Sequence, residues 1–299
     1  MLCPLCKSSR QRSAPFACSY AGTVFPYAEC LDCRSSYCDP MPGPAMLATM
    51  YGPEYETAFS DAPNGGVDDP KEPARLLDWL KRLPSGTFVD YGCGKGTLLT
   101  AAVQLGWRAI GIELDPAVAR RVQGSTGCAV LVSSAATELS DPIADVLHLG
   151  DVIEHLTEMD MIMSNVLRLL KPWGLLLAQG PLEANFNIYA ACIRIMRRLR
   201  GDRPTPMAPY HVILATSKGQ RLLFQRLGLQ CVDYSISEVE WPAQSRLALS
   251  DITRPRVTML FTLRSLSKAV TALNRKHWGN RYFYAGRWEG VERRMGKSA

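Results

Sequence analysis

Two pairs of cysteines open the chain, Cys3-Pro4-Leu5-Cys6 and Cys30-Leu31-Asp32-Cys33, with 23 residues between them. A C-x-x-C turn presents two thiolates to one metal ion, and a second such turn completes the four soft ligands that zinc takes in a tetrahedron. The spacing predicts a zinc ribbon with Cys3, Cys6, Cys30 and Cys33 as ligands. Four protein ligands leave no open position, so the metal is expected to hold structure and not to catalyse. The alternative, a redox-active pair, belongs at a strand–helix junction after a βαβ start, which this stretch lacks. Cys18 and Cys38 are left over. Cys93, Cys128, Cys192 and Cys231 sit among apolar residues or glycines and read as buried small hydrophobes. A second chemistry-bearing segment is Val89-Asp90-Tyr91-Gly92-Cys93-Gly94-Lys95-Gly96. Its glycines let backbone amides approach a ligand without a Cβ in the way. The spacing is G-x-G-x-G, neither the dinucleotide form nor, despite Lys95, a P-loop. Further on, Gly111-Ile112-Glu113-Leu114-Asp115 places an acid where a carboxylate can accept both hydroxyls of a ribose.

The elements that position these residues can be read from periodicity. Thr87–Tyr91, Arg108–Glu113, Ala129–Val132, Ala144–Leu149 and Leu175–Gln179 are short apolar runs expected as strands. Between them, 97–105, 116–123 and 160–170 read as helices, the last ended by Lys171-Pro172-Trp173-Gly174. Alternating strands and helices imply a parallel sheet covered on both faces, and near-continuous apolar strands agree with that. A short helix is expected over 74–83, with Leu76, Leu77, Leu80 and Leu83 on one face, after a linker over 62–73. Later elements are a basic helix over 186–199, a helix over 218–227, a sixth strand over 229–236, an amphipathic helix near 259–273 and a final edge strand over 281–285. The layout predicts a zinc ribbon at 1–45, a linker and helix at 46–84, and an α/β core at 85–299 that carries an insertion near 184–210 and a basic tail.

Together these segments resemble the class I S-adenosylmethionine-dependent methyltransferases. Besides the glycine turn and Gly111-Ile112-Glu113, the chain has Asp151-Val152-Ile153-Glu154-His155-Leu156 and Leu169-Leu170-Lys171-Pro172-Trp173-Gly174, in the family's order. The resemblance implies a Rossmann-like seven-stranded sheet with an antiparallel last strand. It implies that Gly92, Gly94 and Gly96 form the turn against the methionyl part of the cofactor, that Asp90 orients the turn and the cofactor amine, and that Glu113, followed by Leu114, binds the ribose. Ser134 and Ala135 would flank adenine; many members carry an acid there, where this chain has Ser133-Ser134. Gly150 and Asp151 would border the sulfonium. The N-terminal part resembles a subset with a zinc ribbon before the core, among them sugar C-methyltransferases of deoxysugar pathways. Its Tyr-x-x-x-Tyr segment is matched by Tyr51 and Tyr55, while the further C-terminal domain of the longer sugar enzymes is not expected here.

Methyl transfer is an in-line displacement that needs an aligned nucleophile, helped by a general base when the acceptor is a hydroxyl or an acidic carbon. Four histidines are available. His211 is the candidate base or substrate contact, with Tyr210 beside it. His155 reads equally as a catalytic group or one that packs or caps a helix. His148, inside a strand, reads as a core residue or one supporting the site from behind, and His277 as solvated. Loops carry specificity on such a scaffold, so the 184–210 insertion is expected to select the acceptor. Arg194, Arg197, Arg198, Arg200 and Arg203 would grip a phosphate there; the competing reading is the wet face of a helix whose Ile193, Ile195, Met196 and Leu199 face inward.

The net charge is +6, and it is uneven: eleven Lys/Arg and two acids from Arg254 onward give +9 and leave −3 for the rest. Such a tail suits phosphates, nucleic acid or anionic headgroups, or is simply solvated. Composition excludes wholesale disorder, and no run approaches the ~18 apolar residues of a membrane span, which leaves only peripheral membrane contact open. Met1-Leu2-Cys3-Pro4 has neither a basic nor an apolar leader region, so a cytoplasmic address is expected. No oligomeric state is read. The leading expectation is S-adenosylmethionine-dependent methyl transfer to a small molecule, a sugar, nucleotide-sugar or glycolipid intermediate that carries a phosphate in some of these cases. The alternative is an RNA methyltransferase binding through ribbon and tail. Against it, residues 3–33 hold only Lys7, Arg10 and Arg12 as cations, apart from the aromatics, and the segment after the fourth strand is not N-P-P-[YF]. A non-catalytic cofactor-binding protein is the third reading.

Overall fold

The computed structural model describes residues 1–52, 71–139, 141–188, 191–192, 195, 204–239, 253–274 and 277–290. Tyr55, Ile193, Met196, Leu199, the arginines at 194, 197, 198, 200 and 203, and the tail at 291–299 lie outside them. The chain divides into two compact units. The first comprises Met1–Asp68, Pro181–Leu222 and Ser235–Tyr282, the second Asp69–Gly180, Leu223–Tyr234 and Phe283–Ala299.

In the first unit, β1 (Gln11–Tyr20) and β2 (Thr23–Cys30) form an antiparallel hairpin. Its two-residue turn, Ala21-Gly22, has φ of 47° and 75°, the left-handed pair whose twist matches a hairpin. Strand β3 (Ser36–Cys38) extends the hairpin on one side, and α1 (Pro44–Met50) follows it. Three further elements lead into the second unit and through it: α2 (Lys71–Arg82), β4 (Thr87–Tyr91) and α3 (Thr97–Gln104). Helix α2 therefore begins inside the stretch expected as linker.

Strands β5 (Arg108–Glu113), β6 (Ala129–Val132), β7 (Ala144–Gly150) and β8 (Leu170–Pro181) pair in parallel with β4 in the order β8-β7-β4-β5-β6. The intervening helices are α4 (Pro116–Thr126), α5 (Ser133–Thr137) and α6 (Met159–Arg168). Helix α4 is specified locally: Asp115 accepts the Ala117 amide at 2.6 Å, Pro116 starts the helix, and Gly127 at φ 69° ends it. Between α3 and the sheet lies a core of Phe88, Leu99, Ala102, Val130, Val146, Leu175 and Leu177, joined by Leu76 and Leu80 of α2. The segment 171–174 is not a turn before β8 but part of it. Leu170 pairs with Ala144 and Leu175 with Val146, so these four residues bulge out opposite Asp145.

Two short strands, β9 (Thr205–Pro206) and β10 (Ile213–Leu214), return to the first unit and complete a sheet of order β10-β3-β2-β1-β9. Then come α7 (Ser217–Arg226), β11 (Leu229–Ser237), α8 (Pro255–Leu273) and β12 (Arg281–Trp288). The larger sheet has seven strands in the order β11-β12-β8-β7-β4-β5-β6.

Three expectations are corrected here. Strand β12 is not an edge: it lies between β8 and β11 and is buried along almost its whole length, as its Tyr282-Phe283-Tyr284-Ala285 run demands. The edge falls to β11, where Cys231 is exposed and not buried. Helix α8 has its polarity reversed. Arg264, Ser267 and Thr271 are buried, the last two donating hydrogen bonds to the Glu238 carboxylate, whereas Met259, Leu266 and Leu273 are exposed. The half-buried Glu238 carboxylate draws these hydroxyls inward against the usual apolar-inward rule. No described helix is long and apolar enough to cross a membrane.

Candidate active site

The glycine turn connects β4 to α3. Gly92, Gly94 and Gly96 have φ of 77°, 53° and 73°. The amides of Gly92 and Cys93 donate to the Ile112 carbonyl of β5, at 2.8 and 3.3 Å. The Gly94 amide donates to the Glu113 carboxylate, which also accepts the Leu114 amide at 3.1 Å. Acid and turn are thus one hydrogen-bonded object. Burial pushes the Glu113 carboxyl above its ordinary range, opposed by those two amides. The glycines serve different ends. A Cβ on Gly94 would meet open space, whereas one on Gly96 would strike Val122 and Thr126 of α4 at 2.6 and 2.8 Å. Gly94 therefore fronts a cradle and Gly96 lets two helices close up.

Around this turn, Asp90 is buried in β4 and lies 2.7 Å from the Nδ1 of His148. Gly150 ends β7. Asp151 follows at φ 53°, uncommon for a residue with a side chain, and donates its amide to the Gln179 carbonyl at 3.1 Å. Ser134 and Ala135 are exposed on α5 after β6, and Leu114 is 68% exposed beside Glu113. His155 closes a single 3-10 turn over Ile153–His155, next to buried Glu154.

In the first unit, the four cysteines converge. Their Sγ atoms all lie within 4.8 Å of one another, with Cys3–Cys33 and Cys6–Cys30 each at 3.6 Å. A zinc–sulfur bond of ~2.3 Å implies a tetrahedron edge of about 3.8 Å, so this donor set fits zinc. Both turns are built alike. The Lys7 amide donates to Cys3 O and the Arg34 amide to Cys30 O, both at 2.9 Å, while Cys3 N reaches Ser8 O as Cys30 N reaches Ser35 O. Lys7 and Arg34 share left-handed φ values of 62° and 65°. The thiols differ in proton affinity: the bond from Cys3 draws Cys33 down to about 5, that bond and burial push Cys3 up, and burial pushes Cys6 up to about 11.

The same unit holds His211 and Tyr210. Strand pairing Ile213↔Tyr37, the Cys38 amide on Val212 O at 2.9 Å and the Tyr27 hydroxyl on His211 O at 2.8 Å fix the backbone here. The His211 Nδ1 lies 3.0 Å from a Glu183 carboxylate oxygen. A carboxylate on one ring nitrogen sets the tautomer and leaves the other nitrogen to act as base.

A family model described as a methyltransferase domain matches residues 69–234, more than half of the 299-residue chain. The chain belongs to this family. One similar protein, the ribosomal protein L11 methyltransferase of Tolumonas auensis, is 31% identical over 126 residues. That alignment covers 37% of this chain and 40% of the relative, so the chain spans well under half the relative's length. The plantazolicin methyltransferase BamL, solved with a triazolic desmethylPZN analog and S-adenosylhomocysteine, has the same fold. Its TM-score is 0.50 at 10% identity, covering 82% of this chain and 95% of that one. A SAM-dependent methyltransferase of Archaeoglobus fulgidus gives 0.46 at 15% identity, covering 79% and 98%.

The chain carries a methyltransferase domain, and the residues in this Rossmann-like sheet fit S-adenosylmethionine as the methyl donor. Gly94 opens onto free space and Glu113 stands at the carboxyl end of β5. When bound, S-adenosylmethionine supplies a methyl group on a sulfonium. Of the expected residues, Asp90, Gly92, Gly94, Gly96, Glu113, Leu114, Ser134, Ala135, Gly150 and Asp151 all fall in or after β4 to β7, and the four cysteines meet. Glu183 was not found from the sequence, because 28 residues separate it from His211 and only the fold pairs them.

Proposed function

We propose that this methyltransferase acts on a small, hydroxyl-bearing acceptor of the sugar, nucleotide-sugar or glycolipid class, and that its N-terminal module, residues 1–45, is a zinc ribbon. In this reading the core at 85–299 follows the linker and helix at 46–84, and the 184–210 insertion selects the acceptor. The methionyl end of the donor lies against Gly92 and Gly94 with its amine toward Asp90. Glu113, followed by Leu114, takes the ribose hydroxyls, Ser134 and Ala135 flank adenine, and Gly150 and Asp151 border the sulfonium. Support for this donor site comes above all from the joint between Gly94 and Glu113. An amide that would otherwise have no partner at a left-handed glycine is held by the acid itself, so turn and acid are preorganised together.

His211 is the base or acceptor contact, oriented by Glu183, with Tyr210 beside it; His155 is the other candidate. A histidine held by a carboxylate suits proton removal from a hydroxyl or an acidic carbon. Zinc at Cys3, Cys6, Cys30 and Cys33 is structural, since all four positions of a tetrahedron are filled by protein. Ten free cysteines suit a reducing, cytoplasmic setting. The test uses S-adenosylmethionine carrying a tritiated methyl group, offered with fractionated cell extract. Label in phosphate- or sugar-bearing small molecules is expected. Label confined to RNA or protein would overturn the acceptor class.

The second reading is a macromolecular acceptor, RNA in particular. It is favoured by the basic segment from Arg254 onward and by similarity to an enzyme that methylates a ribosomal protein.

A further inference from the structure

We propose that His148 is a positioning residue for the methyl donor, fixing through its hydrogen bond the Asp90 carboxylate that meets the amino-acid end of S-adenosylmethionine. This rests on the assignment of Asp90 given above and adds a residue to it.

The place in the sheet is informative. From β4 the strand order runs one way through β5 and β6 and the other way through β7 and β8, so the order reverses between β4 and β7. In open α/β sheets the ligand crevice opens at that reversal, beyond the carboxyl ends of the strands. Asp90 and His148 are the register pair across this junction. They lie two residues below Gly92 and Gly150, the positions where the two strands give way to loops.

The imidazole is fixed in three ways. Its Nδ1 is 2.7 Å from the Asp90 Oδ1. Its ring stacks on Phe88, with centroids 6.4 Å apart and planes at 24°. Its upper edge fills the space a side chain on Gly150 would need, since a Cβ there would lie 2.6 Å from Cε1 and 3.1 Å from Nε2. The ring therefore leans toward the end of β7, and Gly150 is a glycine because the ring is there. His148 is 2% exposed and Asp90 3%. Among the described residues the His148 Nε2 is buried without a hydrogen-bond partner.

A purely structural role does not account for this pair. The same row holds Leu177 on β8, and two aliphatic side chains in place of Asp90 and His148 would pack without desolvating polar groups. What a histidine adds is a donor that keeps one carboxylate oxygen engaged. The carboxylate is thereby held in one rotamer before a ligand arrives, so less ordering accompanies binding.

The experiment titrates the full chain with two ligands, S-adenosylhomocysteine and 5′-methylthioadenosine, which lacks the amino-acid end. His148→Leu is expected to weaken S-adenosylhomocysteine tenfold or more and methylthioadenosine by less than twofold. His148→Asn, whose amide nitrogen falls where Nδ1 sits, should recover most of that loss. Equal losses for both ligands would mean a merely structural histidine and overturn the proposal. Undiminished S-adenosylhomocysteine binding in His148→Leu would do so as well. Failure of the wild-type chain to bind either ligand would instead refute the donor-site assignment, and this proposal with it.

Discussion

At the scale of single residues, the glycine turn separates binding from folding. Gly94 and Gly96 both have left-handed backbone, yet a side chain on the first enters open space and on the second enters α4. Gly94→Ala should therefore cost only the ~1–2 kcal/mol of a left-handed alanine while blocking the cradle. Calorimetry should show S-adenosylhomocysteine affinity down at least tenfold with only a small drop in melting temperature. Gly96→Ala adds overpacking of about 1–3 kcal/mol to the same strain and should register first as lost stability. The reverse ranking would show that the cradle is misassigned. The turn and its acid were legible from the sequence because G-x-G-x-G and an acid at a strand end are local signals. The partner of His211 was not, because a carboxylate brought in from position 183 leaves no mark on spacing.

Among the elements, those that follow periodicity were read closely. Strands 87–91, 108–113 and 129–132 match to the residue, since buried parallel strands are short apolar runs bounded by turn residues. Strands of two residues, such as β9 and β10, carry no period and are visible only once β1 and β3 are in place. Helix α8 misled because Glu238, outside the helix, decides which side turns inward. Two predictions belong here. The paired cysteine turns should carry one zinc per chain in protein purified with reductant, and Cys33→Ser should release it and lower the melting temperature. Metal analysis finding none in the wild type would remove the ribbon. The second concerns Asp145, which accepts the Thr87 amide at 2.8 Å and Lys171 Nζ at 2.9 Å, tying the start of β7 to β4 and to the bulge of β8. Burial opposes ionisation there, but the Thr87 amide and Lys171 outweigh it and hold the carboxyl below its usual range. A depressed native value means that the stabilisation is present above the unfolded value near ~3.9 and lost as pH falls through the native one. Asp145→Ala should cost about 1 kcal/mol at neutral pH, mostly for the backbone hydrogen bond because the ion pair is half exposed, and less once the Asp145 carboxyl is protonated in both the native and the unfolded chain. Denaturant midpoints across pH measure this, and a pH-independent difference would exclude it.

For the whole molecule, fold and reaction class follow from a family match over residues 69–234, while the acceptor depends on residues the family does not share. Charge offers one discriminating measurement. If the +9 from Arg254 onward exists for RNA, retention of RNA should fall steeply and log-linearly with salt, by orders of magnitude between 50 and 200 mM. A small-molecule enzyme should show weak retention even at low salt, and that is the expected result; tight, salt-sensitive binding would favour the macromolecular reading. The central claim is that the turn at Gly92–Gly96 and the Glu113 carboxylate together hold the methyl donor. It is tested most directly by titrating S-adenosylhomocysteine into the wild-type chain and into Glu113→Ala. The prediction is saturable binding by the wild type and at least a tenfold weaker affinity in the variant, about 1.4 kcal/mol. Equal affinity in the two proteins would contradict it.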